Sequence, residues 1–260
     1  MSEKVVVTKS DITSCCRANI KPGEYILLPG DNRVFSHIPK FNGIDIQIMA
    51  TPQITGARFT EYELFIHPNG KTDGVINEVF EQFFYVLEGS VEVTSEGKTH
   101  KFVKGSYFWL PPHTDFSLNN KSDALCRALW IRRRYEEIEG IKIPAPIIAH
   151  ENDVEKLDVD TYKEQHLTPY EDIAFDMGIN IQTFDPGIYF SFVESHIMEH
   201  GLYMTEGCGI YYLNKDYMEV TKGDFIYMAP YCSQFYYSTG WAQSQYLLYK
   251  DVNRDYASFL

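Results

Sequence analysis

The chain has 260 residues, 15% of them aromatic and 23% charged, and a net charge of -13, which excludes a disordered chain and leaves room for one large or two ordinary globular domains. No basic run exceeds Arg132-Arg133-Arg134, so nucleic acid is disfavoured as a partner and a small molecule is expected. No stretch approaches the ~18 apolar residues of a membrane span; Met1 to Ser14 lacks the apolar core of a secretion signal, and Cys15, Cys16, Cys126, Cys208 and Cys232 form no CxxC pair, which together predict reduced structural thiols in the cytoplasm.

Short runs rich in Tyr, Phe, Val and Ile alternate with Gly, Pro, Asn and Asp along the chain, the pattern of short antiparallel strands. In chain order, Phe83-Phe84-Tyr85-Val86 reads as a strand and Pro111-Pro112 as a turn. Pro144-Ala145-Pro146 stays extended, because proline biases itself and its predecessor away from helix. The charged stretch Glu151 to Asp160 and the polar sequence up to Asp172 read as a linker with some helix. Further on, Gly209 to Leu213 and Tyr217 to Val220 flank a polar turn at Asn214-Lys215-Asp216, predicting a hairpin. Gly223-Asp224 then opens a strand from Phe225 to Met228. The fold class expected is all-β, two tandem β-barrel or jelly-roll domains, with residues 1–150 in one and 151–260 in the other.

The two halves repeat. Tyr85 matches Tyr203, Glu88-Gly89 matches Glu206-Gly207, Lys104-Gly105 matches Lys222-Gly223, Pro68 matches Pro186 and Pro112 matches Pro230, all at an offset of 118 residues. Such a constant offset is the sequence signature of a duplicated unit.

Within the second unit, Glu194-Ser195-His196-Ile197-Met198-Glu199-His200 carries two imidazoles and a carboxylate at metal-ligand spacing. In an extended strand residues i and i+2 face one side, roughly 7 Å apart, so Glu194 and His196 can share an ion that His200 reaches from past a bend. A lone histidine in a strand is more often packed or exposed than a ligand, which is the reading for His67, His113, His150 and His166.

These residues resemble the cupin superfamily, whose first motif reads His-x-His, three or four residues, Glu, six residues, Gly, and whose second ends in a His eleven residues after a Gly. The frame places Glu194, His196 and His200 at the first three ligand positions, with Gly207 after six more residues, and Gln234 eleven residues after Gly223. The departures preserve donor atoms. Two imidazole nitrogens, a carboxylate and an amide oxygen suit Mn(II) or Fe(II) better than a structural zinc. At the 118-residue offset the first half has Ile76, Glu78, Gln82 and Phe116, so it reads as a cupin without a metal. Glu199 falls outside both motifs.

The second half, with Gly207-Cys208-Gly209-Ile210-Tyr211, Tyr227-Met228-Ala229-Pro230 and Tyr246-Leu247-Leu248-Tyr249-Lys250-Asp251-Val252-Asn253-Arg254, further resembles the (S)-ureidoglycine aminohydrolase family. The resemblance implies a bicupin hydrolase acting on a C–N bond in ureide (purine) catabolism, and one Mn2+ per chain on Glu194, His196, His200 and Gln234. It also implies substrate contacts from Tyr211, Tyr246 and Lys250, catalysis by Lys250 and Glu194, and a homo-oligomer. Asp251, Asn253 and Arg254 read as structural. Two His and one carboxylate also describe non-haem iron sites, so a cupin oxygenase is the alternative, and a non-catalytic sensor a third.

Overall fold

A computed structural model describes residues 17–255; Cys15, Cys16 and the segment Met1 to Ser14 lie outside them. The regular structure of the described chain is almost all β-strand, with one α-helical turn at Pro52–Thr55 and single 3-10 turns at Gly30–Asn32 and Glu151–Asp153.

Two antiparallel barrels form. In the first, the strands run in the order Ile147–His150, Ser106–Leu110, Phe80–Glu88, Cys126–Arg134, Phe59–Thr72, Phe116–Asn119, Ser90–Ser95 and Lys98–Val103. In the second, the large sheet runs Asn19–Lys21, Tyr25–Leu28, Phe225–Met228, His200–Glu206, Ser244–Asp251, Met177–Phe184, Tyr162–His166 and Leu157–Val159, and Asp216–Thr221, Cys208–Leu213 and Gln234–Ser238 form a smaller one. The cupin fold expected from the sequence is what the chain adopts.

The repeat is visible bond by bond. Ile76 and Phe116 exchange backbone hydrogen bonds as an isolated bridge, and so do Glu194 and Gln234. The amide of His113 donates to the Glu78 carbonyl, and that of Tyr231 to His196; His113 and Tyr231 both take left-handed backbones, with φ of 62° and 63°. Gly89 and Gly207 match in the same way, at φ of 76° and 72°, a conformation open to glycine at little cost. The expected hairpin forms between Cys208–Leu213 and Asp216–Thr221, and Phe225–Met228 is a strand.

Three apolar cores hold the molecule. One fills the first barrel around Ile44, Phe84, Phe108 and Trp130, and another fills the second around Phe184, Leu202, Tyr236 and Leu248. The third lies between the barrels and joins Phe59, Phe83, Trp109 and Ile131 to Phe175, Ile179, Tyr203 and Tyr249. Met177–Phe184 is buried at every position, as a strand with one face in a barrel and the other on a neighbouring layer must be.

The strand that precedes each repeat adds to the sheet of the other barrel. Tyr25–Leu28 pairs with Phe225–Met228, and Ile147–His150 pairs with Ser106–Leu110. Residues 19–28 of the 1–150 half are thus hydrogen-bonded into the sheet of the 151–260 half. The segment expected to be a linker with some helix is instead two strands, Leu157–Val159 and Tyr162–His166, after a single 3-10 turn. Burial there does not follow polarity: the consecutive Glu164 and Gln165 are both buried while Leu157 is exposed, so a charged composition concealed strands whose polar residues turn inward.

Candidate metal centre and substrate cavity

The Glu194–Gln234 bridge, with N···O distances of 2.9 and 2.8 Å, sets these two side chains side by side. The turn locked by Tyr231 onto the His196 carbonyl, at 2.7 Å, fixes His196 next to them. His200 opens the strand His200–Glu206 directly opposite Lys250. The imidazoles of His196 and His200 have centroids 4.7 Å apart, and the Gln234 amide lies 3.2 Å from His196 Nε2 and 3.4 Å from His200 Nδ1. Behind it, the Tyr211 hydroxyl donates to Gln234 Oε1 at 3.2 Å.

Burial governs the ionisation of these groups. It drives His200 well below the usual histidine range, helped by the adjacent His196 and the Lys250 ammonium, and lowers His196 with help from Lys250. Both rings are therefore neutral and ligand-competent near pH 7. Burial lifts the Glu194 carboxyl, against the pull of Lys250. It lowers Lys250, while Glu164 and Glu194 hold it up. Tyr211 and Tyr246 are pushed well above the ordinary phenol value by burial and stay protonated donors.

Glu194, His196, His200 and Lys250 line one cavity of about 500 Å³. Tyr211 and Tyr246, expected to touch substrate, are not on its wall. Each is 1% exposed; Tyr246 stands one hydrogen bond behind the wall, on Gln182, whereas Tyr211 bonds to Gln234, which is itself buried beside His196 and His200 and is not on the wall. Alternation puts both inside the barrel, but the barrel interior is deeper than the cavity. Among the described residues no three His, Cys, Asp or Glu side chains converge as a preassembled cation cluster; what converges is two imidazoles and an amide, with Glu194 on the same wall.

The fit to a metal rests on the donor atoms. His196 Nδ1 and His200 Nε2, the ring nitrogens that do not face the Gln234 amide, are buried without a hydrogen-bond partner, a costly state for polar atoms unless a ligand satisfies them. Turning the Gln234 amide over would present its oxygen to the two rings without changing its shape.

The same positions in the first barrel are filled. Arg132 donates to both oxygens of Glu78 at 2.8 and 2.9 Å, and the Trp130 indole donates to Gln82 at 3.0 Å. Arg132 is the 118-residue counterpart of Lys250, so a guanidinium supplies the positive charge there and the carboxylate is already committed.

Glu199 turns away from the cavity. Its carboxylate accepts the Arg58 amide at 3.0 and 3.2 Å and the Tyr227 hydroxyl at 3.2 Å, and its own amide donates to Asp251. Asn253 and Arg254 donate to backbone carbonyls of residues 170–175. The polar cavity residues Glu164, Tyr170 and Gln182 are among those missed in the sequence. His166, set aside as a packed or exposed residue, donates from Nε2 to Glu164 Oε1 at 2.7 Å. The signal was present, since Glu164-x-His166 has the same acid–histidine spacing as Glu194-x-His196.

A second cavity of about 490 Å³ between the barrels is lined by the repeat-related pairs Tyr85 with Tyr203 and Lys104 with Lys222. Its lysines both pair with Glu206, at 2.7 and 2.9 Å, and it holds no imidazole.

Comparison with known proteins agrees with this architecture. The cupin domain family model matches residues 64–132, the first repeat, where the second departs from the usual ligand residues. The chain is 32% identical to (S)-ureidoglycine aminohydrolase of Escherichia coli (strain K12) over 92% of both chains. It is 31% identical to the enzyme of the same name from Arabidopsis thaliana, over 89% of this chain and 77% of that one. Among solved structures, protein Ylba from E. coli superposes with a TM-score of 0.84 at 32% identity, covering 92% of this chain and 96% of that one. Bacillus subtilis oxalate decarboxylase, at 10% identity and a TM-score of 0.69 over 91% of this chain and 79% of that one, shares the fold.

Proposed function

Because the chain belongs to the (S)-ureidoglycine aminohydrolase family, we propose that it hydrolyses (S)-ureidoglycine to (S)-ureidoglycolate and ammonia in ureide catabolism, in the cavity of its second barrel. The observation that carries this reading is the contrast between the barrels: Glu194, His196, His200 and Lys250 share one cavity, whereas their counterparts in the first are apolar or already paired.

We further propose that Glu194, His196, His200 and Gln234 hold one Mn2+ per chain. When bound, the ion supplies a template and Lewis acidity that fix the reacting face of the substrate. Lys250 is the only Lys or Arg among the described residues of the cavity wall, and it takes the substrate carboxylate. Glu194 accepts a proton from the attacking water and returns it to the departing amine. Tyr211 and Tyr246 act through the amides they hold.

A homo-oligomer is supported by the outer face of the small sheet. Tyr189, Ile210, Tyr212, Tyr217, Phe235 and Tyr237 occupy it, with Tyr212 opposite Tyr217 and Phe235 and Tyr189 within 6.1 Å of Phe235. Their counterparts in the first barrel are Lys71, Glu92, Thr94, Thr99, Ser117 and Asn119. An apolar patch on one of two equivalent faces suits burial against a neighbouring subunit. No helix of the described residues is long and apolar enough to cross a membrane, and Cys126, Cys208 and Cys232 are free thiols, which supports a cytoplasmic location.

The test is ammonia and ureidoglycolate release from freshly generated ureidoglycine, without oxygen, by metal-stripped and Mn-reconstituted protein. Only the reconstituted form is expected to turn over. Inactivity of both forms, or a requirement for oxygen, would overturn the reading.

A further inference from the structure

Glu164 is 6% exposed, lines the cavity, and has no part in the steps above. Its cross-strand partner is Gln182. At the same register the first barrel pairs Ile46 with Leu64, both in its apolar interior. The second barrel has therefore exchanged an aliphatic pair for a carboxylate and an amide, at a desolvation cost that packing alone does not require.

The carboxylate is held from several sides. Its Oε1 meets His166 Nε2 at 2.7 Å, Asn180 Nδ2 at 3.2 Å and the Tyr170 hydroxyl at 3.3 Å. Its Oε2 accepts from the Gln182 amide nitrogen alone, and the Gln182 oxygen in turn accepts the Tyr246 hydroxyl. No Lys or Arg among the described residues forms an ion pair with it; its one such contact is His166. Each carboxylate oxygen accepts about two hydrogen bonds, so Oε2 retains a free lone pair on a fixed group of the wall. Lys250, lying over the Tyr170 ring at 4.0 Å, puts the cation of the cavity next to this acceptor.

We propose that Glu164 is the specificity-determining acceptor for the N–H groups of a carbamoyl substituent, with Lys250 anchoring the carboxylate of the same ligand. The assignment rests on the proposed ureide substrate and names the group that reads the ureido end. A carbamoyl terminus offers N–H donors where an acetyl terminus offers only a methyl. A buried acceptor built for such a donor rejects the isostere that leaves it unpaired, by ~10–100-fold.

Calorimetric titration of the Mn-reconstituted full chain with N-carbamoylglycine and N-acetylglycine tests this, because the two ligands differ only in that terminus and neither carries the amine that leaves. The wild-type protein is expected to prefer N-carbamoylglycine by about tenfold or more. Glu164→Leu is expected to bring the two within about twofold, with N-acetylglycine affinity and Mn content unchanged. Should that variant fail to fold, Glu164→Gln decides, with an expected loss of at least about threefold in preference. Equal affinities in the wild type, or an undiminished preference in the variant that folds, would overturn the assignment. Ammonia release from ureidoglycine is scored separately: its absence with the binding preference intact removes the hydrolase reading and leaves Glu164 assigned.

Discussion

Glu61 lies opposite Ala50 and Ile131 in the first barrel, fully buried, and neither of its carboxylate oxygens has a hydrogen-bond partner. Glu63, two residues along, is equally buried but accepts from Arg33 at 3.0 Å, Arg127 at 2.8 Å and Tyr203 at 3.0 Å. Burial lifts the Glu61 carboxyl from 4.5 to about 8, with Arg33 pulling the other way. An unfolded chain therefore loses this proton near pH 4.5 and the folded one only near pH 8. Across that window the folded state binds the extra proton, so stability falls as pH rises. At about 1.4 kcal/mol per pKa unit, the loss between pH 5 and pH 8 has a ceiling of about 4 kcal/mol. For a chain of this size that corresponds to roughly 8–16 °C in Tm. Glu61→Gln cannot ionise and should show a flatter Tm profile between pH 5 and pH 8. Glu81, also lifted by burial, is present in both proteins, so the difference between the profiles isolates Glu61. Calorimetric melting of both proteins at the two pH values measures it. Profiles that run parallel within about 1 °C would refute the reasoning.

Two further substitutions probe the packing around the site. A Cβ at Gly201 would stand 2.6 Å from Glu61 Oε2 and 2.7 Å from the Phe59 ring; Gly201→Ala should cost ~1–3 kcal/mol by overpacking, and a Tm equal to that of the wild type would contradict the contact. Tyr211→Phe removes the hydroxyl that fixes the Gln234 amide from behind and should weaken Mn2+ about 10–100-fold in a chelator competition, with little change in Tm. Unchanged metal affinity would separate Tyr211 from the centre.

The duplication was legible because its landmarks are residues that turns require. Gly89 and Gly207, Gly105 and Gly223 all adopt positive φ, and no other residue type takes that conformation as cheaply. The proposed ligand positions came from the cupin motif, and the offset set Ile76, Glu78, Gln82 and Phe116 against them; that Trp130 and Arg132 satisfy Gln82 and Glu78 internally is visible only in the fold. The exchanged strands were not legible: Tyr25–Leu28 and Ile147–His150 are short apolar segments with nothing in their sequence to name a partner sheet. Nor could a period of two distinguish Tyr211 and Tyr246, deep in the barrel, from groups on the cavity wall. Glu164 was hidden by its charged surroundings, although the 118-residue offset sets it against Ile46. A carboxylate at an aliphatic position of the sister domain is a stronger signal than local composition.

Metal content per chain after Mn reconstitution tests the central claim most directly, by elemental analysis of the wild type, His200→Ala and Glu78→Ala. One ion per chain is expected in the wild type and in Glu78→Ala, and almost none in His200→Ala. Two ions per chain, or equal loss in both variants, would contradict a single centre in the second barrel.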